Sequence, residues 1–337
     1  MRVLLVRPRA GGGLAAHVDQ ELAELRAAGW EVAEAGVEIR PRPHLSTDLR
    51  TVRALRRTVG AAGAPMAVHA HGLRAGALAA LAVPRRGGHR LVVTLHNRTV
   101  GSLPVRTVGA LLLRLLVRRA DTVLAVSPDL AEDARRAGAR DVRHAVVPAP
   151  PRPATAPAAP RRAPGDALEV LVIARLAPQK GLHDLLDAAA RLRDGAGVRI
   201  RIAGEGPLHE ELAARIRAEA LPVELLGRRE DVPELLAAAD LVVSAARWEG
   251  QPVALQEALQ AGRAILATDA GGTRWVTGEA ARLVPVGDAR ALAAAIAEHR
   301  DPRRRRQAEQ ASAQRARDLP TARDLLAQLT EVLAAAP

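Results

Sequence analysis

Two glutamates eight positions apart stand in the run Arg247-Trp248-Glu249-Gly250-Gln251-Pro252-Val253-Ala254-Leu255-Gln256-Glu257-Ala258-Leu259, directly after a hydrophobic segment that reads as a strand. Pro252 suits the first turn of a helix, which puts Glu249 before that helix and Glu257 in its second turn. The pair therefore brackets a helix N-terminus, where unpaired N–H groups and the positive end of the dipole favour an anion. A phosphate seated there would have a carboxylate on each side. Carboxylates are poor partners for phosphate and good acceptors from hydroxyl groups. The chemistry implied is that of a ligand joining phosphate to hydroxyl-bearing rings, with one acid for a sugar and the other for a ribose.

Cations to face such a ligand are plentiful but undistinguished, with one exception. The chain carries 49 Lys and Arg together, and Lys180 is its single lysine. Where Arg serves every other cationic position, one Lys in a loop between a strand and a helix points to a compact ammonium placed where a planar guanidinium fork would not fit. In the first half, Gly11-Gly12-Gly13 precedes a helix that carries His17, and missing Cβ atoms there let backbone approach a phosphate. Val68-His69-Ala70-His71-Gly72 and Thr94-Leu95-His96-Asn97 each sit at a strand end, where open α/β sheets place ligands; Asn97 is the only asparagine. His69 and His71, without Cys or a neighbouring carboxylate cluster, make a poor ligand set for a metal and read as satisfied structural histidines.

The elements that must position these residues alternate. Val3–Val6 reads as a strand, followed by a helix with Leu14, Val18, Leu22 and Leu25 on one face, then a strand over Glu31–Val37. Further strands are predicted at Met66–His69, Leu91–Leu95 and Thr122–Val126, with helices between, a pattern that argues for a parallel sheet covered by helices. Pro and Ala dominate 148–164 and break the pattern. It restarts with strands at Leu168–Ala174, Val198–Ala203, Val223–Leu226, Leu241–Ser244 and Ala264–Ala267. A last helix over Pro320–Ala336 has its apolar face at Leu325, Leu326, Leu329 and Leu333. The expected organisation is α/β, with two Rossmann-like domains: 1–147, a linker 148–164, a second domain 165–312 and a helical tail 313–337.

Length and composition fit this reading, because 337 residues exceed one ordinary core and 48% hydrophobic content can offset the ordering of two. There is no Cys, so thiolate and disulfide chemistry are excluded. The net charge of +12 is uneven: residues 1–160 hold 24 Arg against 12 Asp and Glu, while residues 161–337 are balanced. An anionic membrane face or acidic acceptor would suit the basic half. Nucleic acid would not, since no aromatic platform accompanies the charge. The opening residues run straight into a strand and no apolar stretch approaches ~18 residues, so a cytoplasmic protein, peripheral at the inner membrane face, is expected.

The spacing of Glu249 and Glu257 resembles the E-x7-E signature of the retaining GT-B glycosyltransferases of family 4, and the likeness runs through nearly the whole chain. Ala174-Arg175-Leu176 with Lys180-Gly181 is similar to that family's G-R-L…K-G segment, and Gly204-Glu205-Gly206-Pro207 to its G-x-G-P turn. Gly227 with Asp231-Val232, Ala239-Asp240, Gly262, Thr268, Gly271-Gly272 and Leu283-Val284-Pro285 with Gly287-Asp288 extend the match. The resemblance implies a GT-B fold in which two Rossmann-like domains face across a cleft and the C-terminal helix packs back on the first domain. It implies that Arg175 and Lys180 neutralise a diphosphate, that Glu249 binds donor-sugar hydroxyls and Glu257 the ribose, and that His96 lies near the donor sugar. Backbone of Gly250, Gln251, Pro252 and Val253, the Gly12-Gly13 loop, and Gly204, Glu205, Gly206 and Asp231 complete the donor site. The implied reaction is metal-independent transfer of a hexose-type sugar from a nucleoside-diphosphate sugar to a hydroxyl acceptor, whether lipid-linked, polysaccharide or small molecule, with no cofactor. The alternative is a catalytically inactive GT-B scaffold that binds a nucleotide-sugar or a partner. Two departures stand out: Trp275 where the family keeps Glu, and Val147-Pro148-Ala149-Pro150 in place of P-N-G. No Asp-x-Asp occurs, as GT-B implies.

Overall fold

The structure is a computed structural model that describes residues 1–8, 13–40, 43–99, 101–149, 167–192 and 197–334. The chain divides into two compact units, Met1–Pro150 with Pro320–Pro337, and Pro151–Leu319.

In the first unit β1 (Arg2–Val6), β2 (Glu31–Glu34), β3 (Ala67–His71), β4 (Arg90–Leu95), β5 (Thr122–Ala125) and β6 (Val142–His144) alternate with α1 (Gly13–Ala27), α2 (Leu45–Ala61), α3 (Leu73–Ala82), α4 (Leu103–Val117) and α5 (Pro128–Arg136). The strands form one parallel sheet in the order β2-β1-β3-β4-β5-β6. Val3 to Val6, Ala67, Val68, Ala70 and Leu91 to Val93 are all buried, as unbroken apolar strands must be when helices cover both faces.

The second unit repeats the plan with β7 (Leu168–Ile173), β8 (Val198–Ala203), β9 (Val223–Gly227), β10 (Leu241–Ser244), β11 (Ala264–Thr268) and β12 (Ala281–Val284). Its sheet runs β12-β11-β10-β7-β8-β9, also parallel. A 3-10 turn (Pro178–Lys180) and α6 (Leu182–Arg191) follow β7; α7 (His209–Ala218), α8 (Val232–Ala238), α9 (Val253–Gln260) and α10 (Thr273–Thr277) follow the next four strands, and α11 (Ala289–Glu298) and α12 (Pro302–Ala316) close the unit. Leu182, Leu185, Leu186, Ile200, Ile202, Leu241 and Leu266 form the core on one face of this sheet. Leu171, Val242, Leu255, Leu259 and Ile265 form it on the other.

The last helix, α13 (Ala322–Ala334), belongs to the first unit and packs on α1, β3 and β4. It buries Leu325, Leu329, Val332 and Leu333. Arg143 reaches Glu331 at 2.5 Å, and the Gln328 amide accepts from Val146 N and donates to His144 O at 2.8 Å each.

Several sequence expectations shift. The 148–164 linker falls, apart from Pro148 and Ala149, outside the described residues. The expected domain end at 312 lies inside α12, which packs on α9 and β11 and stays with the second unit until Leu319. β2 ends at Glu34 instead of Val37. β6 and β12 were not anticipated as strands; each is an edge strand of three or four residues, too short to carry an apolar period. Pro252 caps α9 from outside its first turn. On α1 the most buried positions are His17, Val18, Glu21 and Leu25, so His17 and Glu21 hold places that Leu14 and Leu22 were expected to fill.

Candidate functional site

In the second unit β7 lies at the centre, with β8 beside it on one edge and β10 on the other. The loops after β7 and β10 therefore leave the sheet in opposite directions, and the crevice between them is the place where open α/β sheets hold ligands. Lys180 ends the first of these loops and Glu249 lies in the second. Lys180 Nζ donates to Glu249 Oε1 at 2.5 Å, with the two side chains only 23% and 13% exposed.

Backbone holds the two loops in register. Arg247 N donates to Gln179 O at 2.8 Å, and the Arg247 guanidinium grips both Asp184 oxygens at 2.9 and 3.0 Å. Gly181 has φ +62° and lies so close to β10 that a Cβ would come within 1.9 Å of Ala245 O. Gly271, at φ +56°, backs the other loop, where a Cβ would meet Glu249 O at 2.0 Å; Gly272 N donates to that same oxygen at 2.9 Å. Both glycines combine left-handed backbone with contact against a carbonyl, and only a residue without Cβ meets both demands. Thr268 adds a hydrogen bond to Ala246 O at 2.5 Å.

The remaining expected residues sort themselves around this pair. Arg175 follows β7, is exposed, and has no ion-pair partner among the described residues, so it is not joined to the Lys180–Glu249 pair. Gly204 and Gly206 press against the carbonyls of Ala174 and Leu176, and Leu176 N donates to Glu205 O at 2.9 Å, which ties the β8 loop to the Arg175 loop; the Glu205 side chain is exposed. Asp231 stands off at the start of α8, chelated by Arg229 at 2.5 and 2.7 Å. Gly250 and Pro252 are buried, Gln251 and Val253 half-buried, and Glu257 is buried in α9 one helical turn beyond Val253.

In the first unit the sheet reverses between β1 and β3. Gly12 lies outside the described residues and Gly13 opens α1. Below that point is a buried polar group that the sequence reading did not assemble. His69 Nδ1 meets Glu21 Oε1 at 2.6 Å and its Nε2 meets Thr94 Oγ1 at 2.7 Å. His71 Nε2 faces Glu21 Oε2 at 3.4 Å, and His71 Nδ1 meets His96 Nε2 at 3.1 Å. The His17 ring stands edge-on to His96 at 5.6 Å. Glu21, His69 and His71 are fully buried and His17 nearly so.

Electrostatics fixes the charge states. Burial alone would raise the Glu21 carboxyl, but His69 and His71 hold it well below its ordinary range. Desolvation pushes His17 down to about 4, and lowers His71 and His96, the latter strongly with help from the neighbouring imidazoles. Glu21 is thus a carboxylate, and His17, His71 and His96 are neutral rings, near neutral pH.

A single carboxylate, not a cluster, stands beside His71, supplied by α1. Atoms of His17, Glu21 and His71 lie within 4.8 Å of one another. A tetrahedral cation with bonds of about 2.0–2.1 Å would need edges of roughly 3.4 Å and a fourth ligand. His69 has both nitrogens committed to Glu21 and Thr94, so the group reads as hydrogen-bonded and not as a closed cation site. The signal for Glu21 was available: an acid at i+4 from His17, on the face shared by Val18 and Leu25.

Comparison with known proteins places this arrangement. A family model described as "Glycosyl transferase 4-like domain" matches residues 33–150, and one described as "Glycosyl transferases group 1" matches residues 167–300. The colanic acid biosynthesis glycosyltransferase WcaL of Salmonella typhimurium, itself named as putative, is 35% identical over 150 residues, 41% of this chain and 37% of that protein. The lipopolysaccharide core biosynthesis glycosyltransferase LpsE of Rhizobium meliloti is 31% identical over 137 residues, 40% of this chain and 39% of that protein. The aligned regions thus span well under half of these relatives. Among solved structures, sucrose-phosphate synthase from Thermosynechococcus elongatus superposes with a TM-score of 0.79 at 20% identity, covering 98% of each chain. Anabaena HepE in complex with UDP-glucose superposes at 0.76, with 20% identity and 98% of each chain covered.

Two doubly wound parallel sheets, each with its polar residues gathered where the strand order reverses, make this a GT-B protein. With both halves matched in tandem, the chain belongs to the glycosyl transferases of group 1, the family 4 branch of the GT-B class.

Proposed function

We propose that the chain is a retaining glycosyltransferase that moves a hexose-type sugar from a nucleoside-diphosphate sugar to a hydroxyl acceptor, with no metal ion at the diphosphate. The observation that carries this reading is the Lys180–Glu249 pair at the reversal point of the second sheet, 2.5 Å apart and shielded from water. As the bond between the anomeric carbon and the diphosphate oxygen breaks, negative charge gathers on the leaving group. Lys180, Arg175 and the first N–H groups of α9 stabilise it, the more strongly where water is excluded. Glu249 and Glu257 accept from sugar and ribose hydroxyls. The acceptor oxygen attacks on the face the diphosphate leaves, and its proton passes to that departing group.

Titration with UDP-, GDP- and ADP-sugars tests the donor class. The matching donor at 100 times its Kd is expected to stabilise the protein by about 2.7 kcal/mol, as a rise in Tm of the same size with EDTA as with Mg²⁺. Loss of the shift in EDTA would refute metal independence, and no shift with any donor would refute the reading. A shift without transfer or donor hydrolysis is the result an inactive scaffold would give.

We propose further that the protein works at an anionic membrane surface. No helix among the described residues is long and apolar enough to cross a membrane. α4, however, leaves Leu103 75% and Leu111 57% exposed, together with Val105 and Val108, beside the exposed Arg106 and Arg114. Apolar side chains flanked by Arg on one helix fit insertion among anionic headgroups. Cosedimentation with phosphatidylglycerol vesicles is expected, weakened by high salt and lost in the double variant Leu103→Glu, Leu111→Glu. Equal binding by the variant would remove this surface from consideration.

A further inference from the structure

The buried histidine group of the first unit carries a directional argument. Near neutral pH Glu21 is a carboxylate and can only accept. His69 Nδ1, 2.6 Å from Glu21 Oε1, therefore bears a hydrogen, and His69 Nε2 lies 2.7 Å from the Thr94 hydroxyl. The second carboxylate oxygen faces His71 Nε2 at 3.4 Å in a space closed to water. Were that nitrogen bare, two lone pairs would oppose each other in low dielectric, at a cost of the kind buried unpaired acceptors carry. His71 Nε2 must hold the hydrogen. His71 Nδ1 is then an acceptor, and the 3.1 Å contact to His96 can only be a bond donated by His96 Nε2–H.

We infer that Glu21, acting through His71, fixes His96 as its Nε2–H tautomer and leaves His96 Nδ1 as a bare acceptor. Glu21 and His71 are positioning residues: neither touches the ligand, yet together they decide whether the outer nitrogen of His96 accepts or donates. Combined with the place near the donor sugar that the family resemblance implies for His96, on which this consequence rests along with the proposed transferase function, His96 Nδ1 accepts a sugar hydroxyl. The buried His17 Nδ1 makes no hydrogen bond among the described residues, so His17 takes no part in the chain from Glu21 through His71 to His96. Arg7 contributes a distant positive charge that favours neutral His71.

Glu21→Gln makes the inference testable because the amide keeps the shape and reverses one end. Its oxygen can still accept from His69 Nδ1–H, while its NH₂ must donate to His71 Nε2. That forces the hydrogen of His71 onto Nδ1 and makes His96 Nε2 the acceptor. Nitrogen-15 NMR of histidine-labelled protein, free of donor, reads the tautomers directly. Wild type is expected to show His96 protonated at Nε2 from pH 6 to 8, and Glu21→Gln to show it protonated at Nδ1. With a shared donor sugar, kcat/KM of the variant is expected to fall about tenfold, the worth of one hydrogen bond, with nucleoside diphosphate affinity unchanged. His96 protonated at Nδ1 in wild type overturns the inference, and so does a tautomer that ignores Glu21→Gln. Should Glu21→Gln fail to fold, the wild-type spectrum decides alone. A stoichiometric zinc ion in the purified protein, which would take His71 Nε2 as ligand and reverse the bond, also overturns it. Because the spectra involve no donor, they fail or succeed independently of the proposed transferase activity.

Discussion

Lys180→Ala and Glu249→Ala are each expected to lower turnover by roughly 10²-fold or more, by comparison with the loss of a single transition-state donor. The reasons differ. In the proposed mechanism Lys180→Ala removes the compact cation from the leaving diphosphate; it also strands Glu249, whose bond at 2.5 Å it supplied. The carboxylate that remains repels the phosphates, so both kcat and donor affinity fall. Glu249→Ala frees the ammonium but removes the acceptor for sugar hydroxyls, so kcat falls more than nucleoside diphosphate affinity does. Lys180→Arg is not expected to rescue, since a planar fork does not occupy the place of a compact ammonium 2.5 Å from Glu249 and only 23% exposed. Steady-state rates with a matched donor check these outcomes. Turnover near wild type in both alanine variants would remove the mechanism.

The second large effect concerns acid. His17 is buried and held down at about 4, against an ordinary 6.5. Unfolded chains bind the proton first, so stability is complete above about pH 6.5 and falls as the pH drops toward 4. Over that window His17 alone accounts for about 3 kcal/mol. His71 and His96 are shifted the same way and add to the loss. Glu21, held well below its ordinary value of 4.5, contributes stability present above that value and lost as acid protonates it, so it steepens the lower end. Urea unfolding at pH 7, 6, 5 and 4 measures the slope. A Trp248→Phe, Trp275→Phe background leaves Trp30 as the sole tryptophan, within the first unit that holds the cluster. Stability that stays level across this range would contradict the charge states assigned to the group.

The alternating plan was legible because unbroken runs such as Val3–Val6 and Leu241–Ser244 have few other fates in an α/β chain, and Val198–Ala203 and Leu241–Ser244 were placed to the residue. Edge strands β6 and β12 escaped because only one of their seven residues is buried and no period survives in so few positions. At the site, the pairing of Lys180 with Glu249 was half visible: each stood out by type or spacing, but their contact depends on β7 and β10 being neighbours, which strand order alone decides. Glu21 was missed for a related reason: it shares the apolar face of Val18 and Leu25, but only the approach of β3, carrying His69 and His71, gives a buried carboxylate its partners. Arg175, expected to share the diphosphate with Lys180, makes no ion pair among the described residues, and the loop that carries it is tied to the β8 loop through Leu176 N and Glu205 O.

The return of α13 to the sheet where the chain began means that sequence order and structural membership disagree. A recombinant fragment cut at residue 150 would omit the side chains that seal α1, β3 and β4, exposing apolar surface once covered by Leu325, Leu329, Val332 and Leu333. Cotranslational folding faces the same constraint: the interior of the first unit is finished only after Ala322–Ala334, which follow the whole second unit in sequence, have been made.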